Sequence, residues 1–149
     1  MMVGPHFSKH WRMDVARLLL DHDADVRVHD NNGNTPLHFA VDHGYLEVCR
    51  MLLERNAEVD CRNNDGSTPF LRALKTGRNP DILPLFLEHN ADIHVRDKKG
   101  NTSLHLAAES GLLEISQTLL DRNAEVDPLN DDGSTPFLRA LQNGHPVIA

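Results

Sequence analysis

The sequence predicts an all-α fold built from repeated turn–helix–turn–helix units piled along one axis, and three observations predict it. Glycines fall at 33, 66, 100 and 133, so the steps are 33, 34 and 33 residues. Each glycine opens a similar phrase: Gly33-Asn-Thr-Pro-Leu-His-Phe-Ala40, Gly66-Ser-Thr-Pro-Phe-Leu-Arg-Ala73, Gly100-Asn-Thr-Ser-Leu-His-Leu-Ala107 and Gly133-Ser-Thr-Pro-Phe-Leu-Arg-Ala140. A second phrase keeps the same step: Asp23-Ala-Asp-Val26, Asn56-Ala-Glu-Val59, Asn90-Ala-Asp-Ile93 and Asn123-Ala-Glu-Val126. Fixed-period self-similarity on this scale marks a repeat array, in which no unit can bury its apolar side alone and neighbours cover one another.

Residues 30–62 show how one unit is made. Asp30-Asn-Asn-Gly33 is a turn, because Gly supplies positive φ and Asn or Asp tolerates it. Thr35 is placed to cap a helix, and Pro36 suits the first helical position, where its missing N–H costs nothing. Leu37, Ala40 and Val41 form a short apolar face, and Gly44 ends that helix. Leu46, Val48, Cys49, Leu52 and Leu53 then recur at spacings of three and four, which predicts a second amphipathic helix. Asn56 ends it in the left-handed conformation that Asn tolerates.

Thr35-Pro-Leu-His38 with Ala40, and Asn56-Ala-Glu-Val59, resemble the ankyrin-repeat consensus, and the resemblance runs over nearly the whole chain. It implies an ankyrin-repeat solenoid of stacked helix-turn-helix units with β-hairpin loops projecting from one edge. The chain then reads as one array: a partial repeat over 1–29, full repeats over 30–62, 63–96 and 97–129, and a partial repeat over 130–149. The resemblance further implies that His38 and His105 brace neighbouring hairpins by hydrogen bonds, and that the hairpin tips and inner helices form a concave binding surface.

The second full repeat carries one extra residue, absorbed at Gly77-Arg-Asn-Pro80. Pro84 is tolerable only in a first helical turn, so that helix is expected to start late, near Asp81. Ser103 stands where other units have Pro. A coarser period is also present: Arg55 to Leu74 returns at Arg122 to Leu141 with three changes, Cys61/Pro128, Arg62/Leu129 and Asn64/Asp131. A two-repeat block has been duplicated. Alternate units carry His38-Phe39 and His105-Leu106, or Leu71-Arg72 and Leu138-Arg139, and the sequence alone gives no reason for the alternation.

Neither end reads as a finished stack. Residues 12–28 match the second half of a unit, but Met2-Val-Gly-Pro5 lacks the first-helix phrase. At the other end Thr135 to Asn143 is a first helix, and Gly144 to Ala149 stops where a second should begin. Phe137, Leu138 and Leu141 then lack a covering helix, and each such side chain is worth about 1.5–3 kcal/mol when buried. A longer array, a partner covering this end, or simple fraying would each answer that deficit.

Composition narrows the function. A formal charge of −7 opposes a grip on nucleic acid or an anionic membrane surface. Two cysteines cannot make a disulfide framework, which points to a reducing, intracellular location, cytoplasmic or nuclear. Cys49 belongs among apolar helix residues, whereas Cys61 sits in a loop as a free thiol. No signal peptide or run of roughly 20 apolar residues is present. Ten histidines invite a metal reading, but His22/His29 and His89/His94 lack ligand spacing, and neither His-Glu-x-x-His nor Cys-x-x-Cys occurs. No nucleophile elbow or phosphate-binding loop is found. No cofactor, metal or catalytic residue is expected.

The candidate contact residues lie instead on the tips and the inner helices. The tips supply Asn31, Asn32, Asn34, Asn64, Asp65, Lys98, Lys99, Asn101, Asp131 and Asp132. The resemblance adds first-helix positions facing the groove: Asp42 and His43, Lys75 and Thr76, Glu109 and Ser110, Gln142 and Asn143. Lys98-Lys99 stands out as a basic tip between acidic ones and suits an acidic partner segment. The expected role is a monomeric, non-catalytic adaptor or scaffold that binds a partner protein. The alternative is a substrate-recruiting segment of a larger enzyme, such as a ubiquitin-ligase subunit or a kinase.

Overall fold

The computed structural model describes the backbone of residues 5–142 and the side chains of residues 11–142. Among the described residues eight helices follow in order: α1 Pro5–Asp21, α2 Pro36–Asp42, α3 Leu46–Glu54, α4 Pro69–Thr76, α5 Ile82–Glu88, α6 Ser103–Glu109, α7 Leu113–Asp121 and α8 Pro136–Gln142. They form two rows. In the inner row α2 lies against α4, α4 against α6 and α6 against α8, while in the outer row α1 lies against α3 and α3 against α5.

Local chemistry sets each boundary. Thr35, Thr68 and Thr102 precede α2, α4 and α6 in extended conformation, and each side-chain oxygen accepts a backbone N–H three residues on. Gly44, Gly77 and Gly111 close these helices with φ of 57–70°, a conformation open to glycine at no steric cost. The outer helices end at Asp23, Asn56, Asn90 and Asn123, with φ of 58–65°. Short polar side chains that bond locally are the non-glycine residues suited to that geometry.

The extra residue of the second full repeat has the predicted effect. Asp81 precedes α5 and Pro84 falls in its first turn, where no intrahelical N–H is missed. That helix has seven residues, against nine in α3 and α7. Asn79 anchors the displaced chain by donating to the Gly44 carbonyl at 3.2 Å.

The core is densest around α4 and α5, where Phe70 and Phe86 pack tilted with ring centroids 6.3 Å apart, both fully buried. Leu37, Leu71, Leu74, Ile82 and Leu83 are fully buried in the same core cluster. Cys49 is fully buried, as its apolar neighbours predict, and burial pushes its thiol up to about 12. Cys61 is partly exposed and unpaired.

One expectation changes. The implied β-hairpins are tight loops, and no strand occurs among the described residues. Each loop is closed by two backbone bonds, such as Asp30 N to Asn34 O and Gly33 N to Asp30 O, both at 3.0 Å, and the Asp30 side chain takes the N–H groups of Asn32 and Asn34, so no ladder grows. At the start of the chain, one helix of 17 residues runs from Pro5 where the repeat would place a helix pair. It packs on the core through Leu20, with Met13 and Ala16 beside it, and leaves Val15, Leu18 and Leu19 exposed.

At the other end Phe137 is 68% exposed, although its counterpart Phe70 is fully buried. Leu138 and Leu141 are exposed as well. The expectation for Gly144 to Ala149, and for Asn143 as a contact residue, lies outside the described residues.

Candidate functional site

The four tips share one internal design. Asp30, Asn63, Asp97 and Asn130 each use Oδ1 to accept two backbone N–H groups, two and four residues on, at 2.8–3.0 Å. What differs is how one tip meets the next. Between the tips of residues 30–34 and 63–67, Asn64 N donates to Asn32 O at 2.9 Å, and Asn63 Nδ2 donates to Asn34 Oδ1 at 2.8 Å. Between the tips of residues 97–101 and 130–134 the same two bonds return, as Asp131 N to Lys99 O at 2.9 Å and Asn130 Nδ2 to Asn101 Oδ1 at 2.8 Å.

Histidine completes both of these junctions, as the resemblance implies. Thr35 N–H donates to His38 Nδ1 at 3.1 Å, which leaves the ring proton on Nε2, and Nε2 donates to Ser67 O at 2.9 Å. His105 repeats the arrangement with Thr102 N–H and Ser134 O, the latter at 2.8 Å. Burial holds the pKa of both histidines below the ordinary value. The following unit reaches back: Arg72 forks onto Asp42 with contacts of 2.8 and 2.9 Å, and Arg139 approaches Glu109 at 3.9 Å. The alternation is therefore a brace in two directions, histidine forward and arginine backward within each two-repeat block.

The middle junction, between the tips of residues 63–67 and 97–101, has none of these bonds. Leu71 replaces the histidine, and Asp97, whose carboxylate has no N–H to donate, replaces the asparagine. No backbone bond joins Lys98 N to Asp65 O among the described residues. Side chains alone cross it at the tips: Lys98 Nζ donates to Asn64 O, and Arg62 Nη1 to Arg96 O at 3.1 Å. The separation is visible at the glycines. A β-carbon built on Gly33 or Gly100 would stand 3.0 Å from the next tip's backbone nitrogen, Asn64 N or Asp131 N. On Gly66 its three nearest atoms would be side-chain atoms of Lys98 and Arg62.

A groove of about 650 Å³ opens at this junction. Arg72, Lys75, Lys98 and Lys99 line it together with Asp65, Asp97, Ser67 and Thr76. Four cationic side chains face two carboxylates, in a chain whose formal charge is −7. Among the described residues no group of three or more metal-ligating side chains is gathered. No helix among them is long and apolar enough to cross a membrane.

Of the sequence-derived candidates, the groove brings together Asp65, Lys75, Thr76, Lys98 and Lys99. Asn31, Asn32 and Asn64 are exposed but serve the first junction, Asn64 Nδ2 donating to Asn31 O at 3.0 Å. Asp131 and Asp132 are exposed on the last tip, and Asp132 faces Arg139 at 3.5 Å. Asp42 is held by Arg72, while His43 is exposed and stacks on Tyr45 with centroids 5.2 Å apart. Two candidates turn their side chains toward a neighbouring tip. Asn101 is 4% exposed, with its side chain spent on Asp97 and Asn130, and Asn34 is half-buried against Asn63. Both side chains bond sideways to the adjoining tip. Sequence reading missed Arg72 and Asp97 as groove residues. The usable signal was Leu71 in place of histidine together with Asp97 in place of asparagine.

Comparison with known proteins agrees with this architecture. A family model described as ankyrin repeats in three copies matches residues 6–63 and 70–149, and another, ankyrin repeats in many copies, matches residues 40–87. A 40-residue stretch is 55% identical to serine/threonine-protein kinase 12 of Arabidopsis thaliana, covering 27% of this chain and 9% of the kinase. Ankyrin repeats are generally protein-interaction modules. With its repeated phrases, two helix rows and braced tips matched by that family over most of its length, the chain belongs to the ankyrin-repeat family.

Proposed function

We propose that this array is a non-catalytic protein-binding module whose contact surface is formed by the tip loops and the inner helices α2, α4 and α6. The observation that carries this reading is the basic groove at the middle junction of an otherwise acidic chain. Residues freed from packing at such tips can vary in chemistry without loss of fold, which is how a repeat scaffold comes to select a partner. Opposed charge there would raise the encounter rate and fix register more than it raises affinity.

In this reading the module acts as a monomer inside the cell, a setting favoured by two cysteines that form no disulfide. The reading as a recruiting segment of a larger kinase rests on a match spanning 9% of that relative, and is the weaker of the two. Affinity capture from native lysate tests the proposal. The wild-type chain should retain a defined set of proteins, and the Lys98→Glu/Lys99→Glu variant should lose part of it. An unchanged set would move the contact surface away from this tip.

A further inference from the structure

Each closed junction pairs a backbone N–H of one tip with a backbone carbonyl of the tip before it: Asn64 with Asn32, and Asp131 with Lys99. At the middle junction the corresponding groups are Lys98 N–H and Asp65 C=O, and neither has a hydrogen-bond partner among the described residues. Both border the groove that also presents Lys75 and Lys99. An unmade donor–acceptor pair is what an added extended strand consumes, while flanking cations select the side chains it carries. The opening follows from composition. Leu71 cannot brace, Asp97 cannot donate to Ser67, and Lys98 spans the gap with a side chain that can swing aside.

We propose that the gap between the tips at Asp65 and Lys98 is a docking slot for an extended acidic peptide segment. Its backbone takes up Lys98 N–H and Asp65 C=O, and its carboxylates pair with Lys75 and Lys99. The inference rests on the protein-binding reading above and narrows it to one junction and one partner chemistry. Docking also supplies the cross-tip bonds that this junction lacks, so an occupied slot couples the two-repeat blocks.

The test uses the full chain and a capped peptide of alternating Glu and Val, with a Gln-for-Glu peptide and a short oligouridine as competitors for the assignment. Backbone amide exchange and chemical shifts are followed residue by residue. Before addition, the Lys98 amide should exchange faster than those of Asn64 and Asp131. The Glu peptide should then protect Lys98 and shift Asp65 and Lys99, with binding weakening as salt rises. The Gln peptide should bind at least tenfold more weakly, and so should the Glu peptide to the exposed-residue variant Lys75→Glu/Lys99→Glu. Absence of Glu-peptide binding at millimolar concentration, tighter binding of oligouridine, or binding without protection of Lys98 would each overturn the slot. None of these bears on the set of proteins retained from lysate, so the two readings fail separately.

Discussion

His38 Nε2 donates to the carbonyl oxygen of Ser67 in the following tip at 2.9 Å, and the backbone N–H of Thr35 fixes its other nitrogen as the acceptor. One buried ring thus caps its own helix and joins two repeats. Its counterpart His105 does the same one block later, and Leu71, between them, does neither. The array is stitched in pairs, and the open seam between pairs is where the basic groove lies.

Replacing His38 by Leu should therefore cost more than its volume suggests. Leucine fits the equivalent position at residue 71, so packing survives, but Thr35 N–H and Ser67 O lose their partner together. Two lost bonds with incomplete resolvation correspond to about 2–4 kcal/mol. Urea unfolding measures it. A loss below about 0.5 kcal/mol would mean that the brace contributes nothing net.

The same rings make stability depend on pH. Burial lowers the pKa of His38 and His105 below the ordinary value of about 6.5. The unfolded chain therefore binds the protons first. The stabilisation is complete above about pH 6.5 and is lost as pH falls through that value, with a slope of at most about 1.4 kcal/mol per pH unit for each histidine. Equilibrium unfolding between pH 7.5 and 5 should show the decline, and His38→Leu/His105→Leu should flatten it. Equal slopes in the two proteins would assign the pH dependence to other groups.

The arginine brace is predicted to be unequal in the two blocks. Arg72 and Asp42 are both about three-quarters buried and meet through two short contacts, whereas Arg139 and Glu109 approach at 3.9 Å. Double-mutant cycles should give a coupling of about 1 kcal/mol for Arg72→Met with Asp42→Asn, the upper end for partly exposed pairs. The Arg139 and Glu109 cycle should give less than about 0.5 kcal/mol. Equal couplings would show that fork geometry is not what matters.

Much of this fold is legible in the sequence because local signals and the repeat agree. Thr35, Pro36, Gly44 and Asn56 each specify a boundary by backbone chemistry alone, and the period fixes which apolar faces meet. Pro84 even fixes the late start of α5. The site is less legible. Asn101 and Asn34 look like solvated tip residues until the neighbouring tip is placed, because their partners stand 29 residues away. Arg72 reads as a surface helix residue until Asp42, 30 residues back, is brought beside it. Contacts across one repeat follow from register, but the width of a junction follows from several side chains acting together.

The two thiols should separate cleanly. Cys49 is fully buried, with its thiol pushed up to about 12, so almost none is thiolate near neutrality. Cys61 is also raised, by burial and then by Glu58, but it is partly exposed. A maleimide at pH 8 should modify Cys61 in the native chain and reach Cys49 only on unfolding. Native modification of both at similar rates would mean that α3 opens far more readily than its packing implies.

Finally, substituting alanine for each tip glycine gauges the width of the junction it faces. Gly33, Gly66, Gly100 and Gly133 all have φ of 73–76°, so each alanine bears a similar backbone penalty of about 1–2 kcal/mol. The added methyl then meets different surroundings. At Gly33 it would press on Asn64 N at 3.0 Å and Asn63 Cα at 3.2 Å, and at Gly100 on Asp131 N at 3.0 Å, backbone atoms fixed by the next tip. At Gly66 its closest neighbour is Lys98 Cγ at 3.0 Å, on a long side chain that can move, and at Gly133 nothing lies within 4 Å. Gly33→Ala and Gly100→Ala should therefore destabilise by about 1 kcal/mol or more beyond Gly133→Ala, with Gly66→Ala close to Gly133→Ala. Urea midpoints of the four variants provide the ranking. If Gly66→Ala fell with Gly33→Ala instead, the middle tips would be as close as the others, and a slot between them could not admit a peptide backbone.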